Sequence, residues 1–187
     1  CDYISTPGMP YFCELRLENP GTRDDFESID GEHREGNTDA NVLRVEGYFQ
    51  YSYNIPAVIC IQFTALEELF LSSSRVEFIT AHAFENCLNL RMLSLENNNI
   101  SIIPTMAFSH SPNLEFLDLS NNHISSLTND PFNGTQLWYL NLEGNDLWYL
   151  YFQWFSSVGD TLLLLDVANN DLTYLEKHVF IKLTSLV

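Results

Sequence analysis

From Leu66 onward the chain repeats itself. Segments beginning at Leu66, Leu90, Leu114, Leu137 and Leu162 read LEELFLSSSRV, LRMLSLENNNI, LEFLDLSNNHI, LWYLNLEGNDL and LLLLDVANNDL. They share the pattern L-x-x-L-x-L-x-x-N-x-L, with aliphatic exchanges and with Ser74 once in place of Asn. The starts are 24, 24, 23 and 25 residues apart, and Leu186 opens another copy 24 residues on. Each unit carries an apolar residue at its fourteenth position (Ile79, Ile103, Leu127, Leu150, Leu175) and Phe five residues later (Phe84, Phe108, Phe132, Phe155, Phe180). A unit this short cannot bury its own apolar face, so successive copies must stack and share one continuous core.

The slots assign the parts of each turn of such an array. The L-x-L pair sends two side chains of a short strand inward, because side chains alternate faces along a strand. Strands of successive repeats then pair in parallel. The Asn slot turns the chain, and Asn98, Asn122, Asn145 and Asn170 are expected to stack as a buried ladder. Buried amides need partners for every donor and acceptor, so the ladder is expected to satisfy itself. The Phe column closes the opposite side.

A degenerate copy begins at Val42, with Gln50 in the Asn slot, Ile55-Pro56 after it and Cys60 in the Phe slot; it precedes Leu66 by 24 residues. Two domains follow. Residues 1–41 form an N-terminal cap with an acidic loop, and residues 42–187 hold six repeats and the start of a seventh, with starts near 42, 66, 90, 114, 137, 162 and 186. In the cap, Cys13-Glu-Leu-Arg-Leu alternates as a half-buried strand does, and is expected to be the cap's edge strand. Residues 18–39 are polar and acidic around the turn signal Asn19-Pro20-Gly21, and read as a solvated loop. A C-terminal cap is missing, which would leave Leu172, Leu175, Phe180 and Leu183 uncovered. Such a face is expected to pair with a second copy, giving a homodimer, or to be covered by further chain.

Four cysteines suit an oxidising compartment. Cys1 and Cys13 are expected to tie the cap together. Cys60 and Cys87 lie at core-facing offsets of adjacent repeats, whose strands stack about 5 Å apart, within disulfide reach. Two sequons, Asn99-Ile-Ser101 and Asn133-Gly-Thr135, fit a secreted glycoprotein.

The formal net charge is −17, from 25 acidic and 8 basic residues, which argues against nucleic acid as a partner. No apolar run approaches the length of a membrane span, so direct membrane insertion is not expected. The five histidines, His33, His82, His110, His123 and His178, lack ligand spacing, and no nucleophile elbow, phosphate loop or dinucleotide fingerprint is present. No enzyme activity, metal or cofactor is expected.

The concave face of the sheet is the expected working surface. Its first outward column runs Arg44, Glu68, Met92, Phe116, Tyr139, Leu164, with Trp138 one position before Tyr139. A second column contains Asp118, Asn141 and Asp166, and a third contains Glu96 and Glu143. Aromatic anchors beside selective charges are the composition of a protein-binding surface. The candidate partner-binding residues are therefore Met92, Glu96, Phe116, Asp118, Trp138, Tyr139, Asn141, Glu143, Leu164 and Asp166. A second aromatic group, Trp148, Tyr149, Tyr151, Phe152 and Trp154, is too dense to be wholly buried.

These motifs resemble the extracellular 24-residue leucine-rich-repeat class, found in Toll-like and Slit-like ectodomains. The resemblance implies an α/β solenoid, a leucine-rich-repeat horseshoe with a parallel concave sheet. The lone Cys13 leading a strand, the long polar stretch and the weak first repeat look like the insect secreted leucine-rich immune proteins, particularly those of mosquitoes. That likeness would imply a secreted innate-immune factor that binds a complement-like thioester protein, often as a disulfide-linked dimer with a coiled coil. A fragment of a cell-surface receptor or adhesion ectodomain is the alternative.

Overall fold

Residues 2–4, 11–17, 38–49 and 54–187 are described by a computed structural model. Each repeat contributes one short strand to a single sheet: β3 (Arg44–Phe49), β4 (Glu68–Phe70), β5 (Met92–Ser94), β7 (Phe116–Asp118), β9 (Tyr139–Asn141) and β11 (Leu164–Asp166). Ahead of them lie β1 (Asp2–Ile4) and β2 (Phe12–Leu17). The sheet order is β1-β2-β3-β4-β5-β7-β9-β11, and from β2 onward every pairing is parallel. The register places Arg44, Glu68, Met92, Phe116, Tyr139 and Leu164 side by side, as the repeat alignment requires. Two flank ladders add β6 (Ile102–Ile103) with β8 (Ser126–Leu127), and β10 (Tyr149–Leu150) with β12 (Tyr174–Leu175). The helical part is slight: α1 (Val58–Gln62) in the first repeat and 3-10 turns at Asp39–Asn41 and Phe152–Trp154. This is a leucine-rich-repeat solenoid.

The core follows the slots. Leu69, Leu71, Leu93, Leu95, Leu117, Leu119, Leu140 and Leu142 are fully buried, as are Ile103 and Leu150 on the opposite wall. The Phe column packs as rings: Phe84 lies 5.4 Å from Phe108, and Phe108 lies 6.1 Å from Phe132, both stacked. Cys60 takes the Phe slot of the first repeat and bonds Cys87, with Cα atoms 5.0 Å apart.

The Asn ladder is present, but its members bond the backbone rather than one another. Asn122 donates to Leu95 O of the preceding repeat and to Leu119 O and Ser120 O of its own, while its Oδ1 accepts from Ile100 N–H. Asn98, Asn145 and Asn170 repeat this scheme. One amide therefore saturates the turn and fastens it to the turn below. At Ser74 a hydroxyl replaces the amide, with 3.4 Å bonds to Gly47 O and Ser72 O. The residue before the slot is also constrained. Ser73, Asn97, Asn121, Gly144 and Asn169 all have φ between 53° and 65°. That left-handed conformation favours Asn and Gly, which accounts for the recurrent Asn-Asn and Gly-Asn. At Gly159 the reason is space, because a Cβ there would sit 2.3 Å from Lys182 O of the next repeat.

Two expectations change at the ends. β2 is not the edge strand: β1 pairs outside it, antiparallel, with Tyr3 opposite Cys13. Three residues are too few to show an alternating pattern, so β1 was invisible in the sequence. Cys13 is buried and disulfide-bonded; Cys1 and the acidic segment 18–37 lie outside the described residues. In the last repeat Leu175 and Phe180 are exposed at 52% and 43%, whereas Leu183, expected to be uncovered, is buried. The Thr184 N–H bonds Gly159 O, closing that turn onto the preceding repeat.

Two stability predictions follow from this packing. Asn122→Ala strands several backbone carbonyls and is expected to cost about 2–4 kcal/mol in urea unfolding. Asn99→Ala, at the exposed neighbouring slot, should stay within about 0.5 kcal/mol. The Cys60→Ala/Cys87→Ala pair opens a loop spanning 27 residues and should cost about 3 kcal/mol on the chain-entropy model, read as a lower thermal midpoint.

Candidate functional site

The repeat register stacks like positions side by side, so any column of the outer sheet face becomes a continuous strip. From β5 to β9 that strip is Met92, Phe116 and Tyr139. The Phe116 and Tyr139 rings lie parallel with centroids 4.4 Å apart. Trp138 meets both edge-on, at 6.5 Å from Phe116 and 5.9 Å from Tyr139. Stacked and edge-to-face geometries of this kind hold rings in place at the surface. Trp138 is 38% exposed, and Leu164 continues the strip at 42% exposed.

Beside the rings runs a polar column. Asp118 Oδ1 accepts from Ser120 N–H, Asn141 Oδ1 from the Glu143 N–H, and Asp166 Oδ1 from Ala168 N–H, each at 2.9 Å. Each side chain thus caps its own turn through one oxygen, which leaves the other end of the group on the sheet face. Asn141 Nδ2 reaches Asp118 Oδ2 at 3.4 Å. Asn141 is only 8% exposed, so it spaces the two aspartates more than it offers a contact. Farther along, the Asn97 amide donates to Glu96 and the Asn169 amide to Glu143, holding both carboxylates near their turns. Burial, and then the charges of Asp118 and Asp166, push the Tyr139 phenol above its ordinary range, against a smaller opposing pull from its bond with Asn141. Tyr139 therefore keeps its proton and remains a donor at neutral pH.

The sequence placed ten residues on this face, and the structure brings them together over β5, β7, β9 and β11. It did not single out the cationic groups. At one end of the strip Arg44 donates to Glu46 and to Glu68, the latter at 2.9 Å, and its guanidinium lies 4.4 Å over the Phe70 ring. Two strands on, just before β5, Arg91 makes a forked bond to Glu115 at 3.0 and 3.2 Å, which raises its pKa above the usual value. The aromatic group of the fifth repeat divides as its density required. Trp154 is buried at the bottom, Tyr149 packs on it at 4.9 Å, and Trp148 and Tyr151 face outward. This second patch lies on the flank, away from the concave strip. Of the sequons, Asn99 is exposed and Asn133 is half-buried, with the Thr135 hydroxyl bonded to Phe132 O. Among the described residues no cluster of His, Cys, Asp and Glu could hold a metal ion, and no helix is long and apolar enough to cross a membrane.

The geometry defines a leucine-rich-repeat scaffold with an ordered aromatic and acidic strip. A family model described as leucine rich repeat matches residues 64–124 and 103–147. No curated protein matches the chain in sequence. Among solved structures, the chain is similar to the APL1 leucine-rich repeat domain, at 22% identity and a TM-score of 0.72, over 99% of this chain and 46% of that one. It is similar to the Drosophila Toll chain of a Toll–Spatzle complex, at 25% identity and TM-score 0.63, over 71% of this chain and 19% of that one. It is also similar to the protein of a TLR13–ssRNA13 complex, at 25% identity and TM-score 0.60, over 78% and 24%. The chain thus spans less than half the length of each of these three structures.

One consequence of the electrostatics is measurable. Tyr139 should deprotonate above the ordinary phenol value of about 10 in an NMR-followed titration. Asp118→Asn should lower that midpoint only part of the way, because burial is the larger cause.

Proposed function

We propose that this chain is a protein-binding scaffold acting outside the cell in innate-immune recognition, and that its partner docks on the concave strip. The observation that carries the reading is the Phe116–Tyr139 stack with Trp138 edge-on, ordered and partly exposed beside Asp118 and Asp166. Rings already fixed by one another lose little freedom on binding, which makes them effective anchors. Met92 and Leu164 extend the apolar contact, Glu96 and Glu143 frame it with carboxylates, and Asn141 spaces Asp118 and Asp166 beneath it. The strip's acidity favours a partner with a basic face and disfavours phosphate backbones, although the TLR13 complex carries an RNA on a related fold.

Several features support the extracellular setting. Cys60 and Cys87 are bonded, which suits an oxidising compartment. Asn99 presents an exposed sequon and Asn133 a half-buried one, so glycans belong on the chain, foremost at Asn99. The likeness to APL1 agrees with a secreted immune factor of the insect type, and a complement-like protein is then the partner to test first. The likeness to Toll favours the second reading, a segment of a cell-surface receptor ectodomain.

The test is capture of partners from the source organism's extracellular fluid by the wild-type chain and by Phe116→Ala/Tyr139→Ala. The double variant should stay folded by circular dichroism and lose about tenfold or more in affinity for a partner that the wild type retains. Equal affinity in the two proteins would remove the concave strip as the site.

A further inference from the structure

The concave strip opens at one end into a small pocket. It lies at the starts of β4, β5 and β7, has a volume of about 130 Å³, and is lined by Glu67, Glu68, Arg91, Met92, Glu115, Phe116 and Trp138. We propose that this pocket is the subsite for one lysine or arginine side chain of the protein partner. The inference rests on the concave-face reading above and names the chemistry of what that face receives.

Size comes first. A cavity of this volume holds a single side chain, since one of about 150 Å³ takes a benzene ring. The walls come next. Phe116 and Trp138 supply ring faces and edges, Met92 a polarisable thioether, and three glutamates supply negative charge. Arg91 answers one of them, bonded to Glu115 on the exposed side. Arg44 answers Glu68 from the neighbouring strand. Glu67 feels the charge of Arg91 across the pocket but makes no side-chain hydrogen bond or close ion pair among the described residues, so one carboxylate of the pocket keeps its oxygens open to a direct partner. Aromatic walls joined to such a carboxylate attract a cation, through the ring quadrupole and through direct charge.

The molecule already contains this arrangement with its cation in place. Beside the pocket, Arg44 lies over the Phe70 ring between the carboxylates of Glu46 and Glu68. The pocket repeats that chemistry with Phe116 and Trp138 as the rings and Glu67 as the carboxylate without a direct hydrogen-bond partner. Phe116 belongs to both the pocket and the Tyr139 stack, so a basic side chain seated here would continue directly onto the aromatic strip. The partner is therefore a protein presenting a basic residue next to apolar ones.

The test uses the chain with three small probes: the Nα-acetyl N-methylamides of lysine, arginine and norleucine. The Met92 methyl and Trp138 indole N–H signals are followed by NMR. The lysine or arginine probe should shift both signals saturably, and norleucine, which has no charge, should not. Glu67→Gln and, separately, Trp138→Leu should each weaken that binding, the latter by about two- to fivefold. No saturable shift, or an equal response to norleucine, would overturn the subsite. If Phe116→Ala/Tyr139→Ala loses the partner while the cationic probes give no response, the subsite alone is wrong. If the probes bind but the partner ignores that double variant, the concave-face reading fails and takes the partner assignment with it.

Discussion

The structure depends on one side-chain amide per turn. A parallel array of three-residue strands leaves many backbone groups at the turns with no ladder partner, and those groups are buried. Asn98, Asn122, Asn145 and Asn170 each supply donors to carbonyls of two adjacent turns and an acceptor for an N–H of the lower one. No apolar residue can do this, and a free buried amide would be costly. Fixing that turn fixes the strand register, and the register in turn fixes which side chains become neighbours on the sheet face.

Function inherits the regularity. A column in the sequence becomes a strip in space, so a few non-repetitive residues at equivalent positions create an extended surface without disturbing the core. Phe116 and Tyr139 differ from Glu68 at the same slot, yet their strands pair in the same register. The proposed binding strip is variation laid over a repeated frame. This suits a protein that must recognise a partner, because the outward slots can change while Leu117, Leu140 and the Asn ladder carry the stability.

Much of the fold could be read from the period alone. The strand positions, inward leucines and Phe column follow from spacing, since equivalent slots must coincide when repeats stack; Cys60 and Cys87 sit at different offsets, so spacing put them only within reach, and the structure shows them bonded. The places where the reading fell short lack a repeat to lean on. β1 has only three residues and pairs antiparallel, so nothing in its pattern announces it. Leu183 looked uncovered because its cover comes from a turn closure between Thr184 and Gly159. On the candidate site, the columns were legible but their internal contacts were not. Asn141 looked like an open contact residue and is nearly buried between its neighbours.

The sequence by itself determined the architecture: its 24-residue period, its inward face, and the residues that share each outward column. It could do so because the constraint is local and repeated, and each copy confirms the others. Only the tertiary structure decided which outward residues act together. The Phe116–Tyr139 stack, the placement of Arg44 over Phe70, and the pocket that brings Glu67 beside Phe116 and Trp138 depend on side-chain directions across strands. Those directions arise from packing between residues about 24 positions apart, which spacing brings near but does not orient.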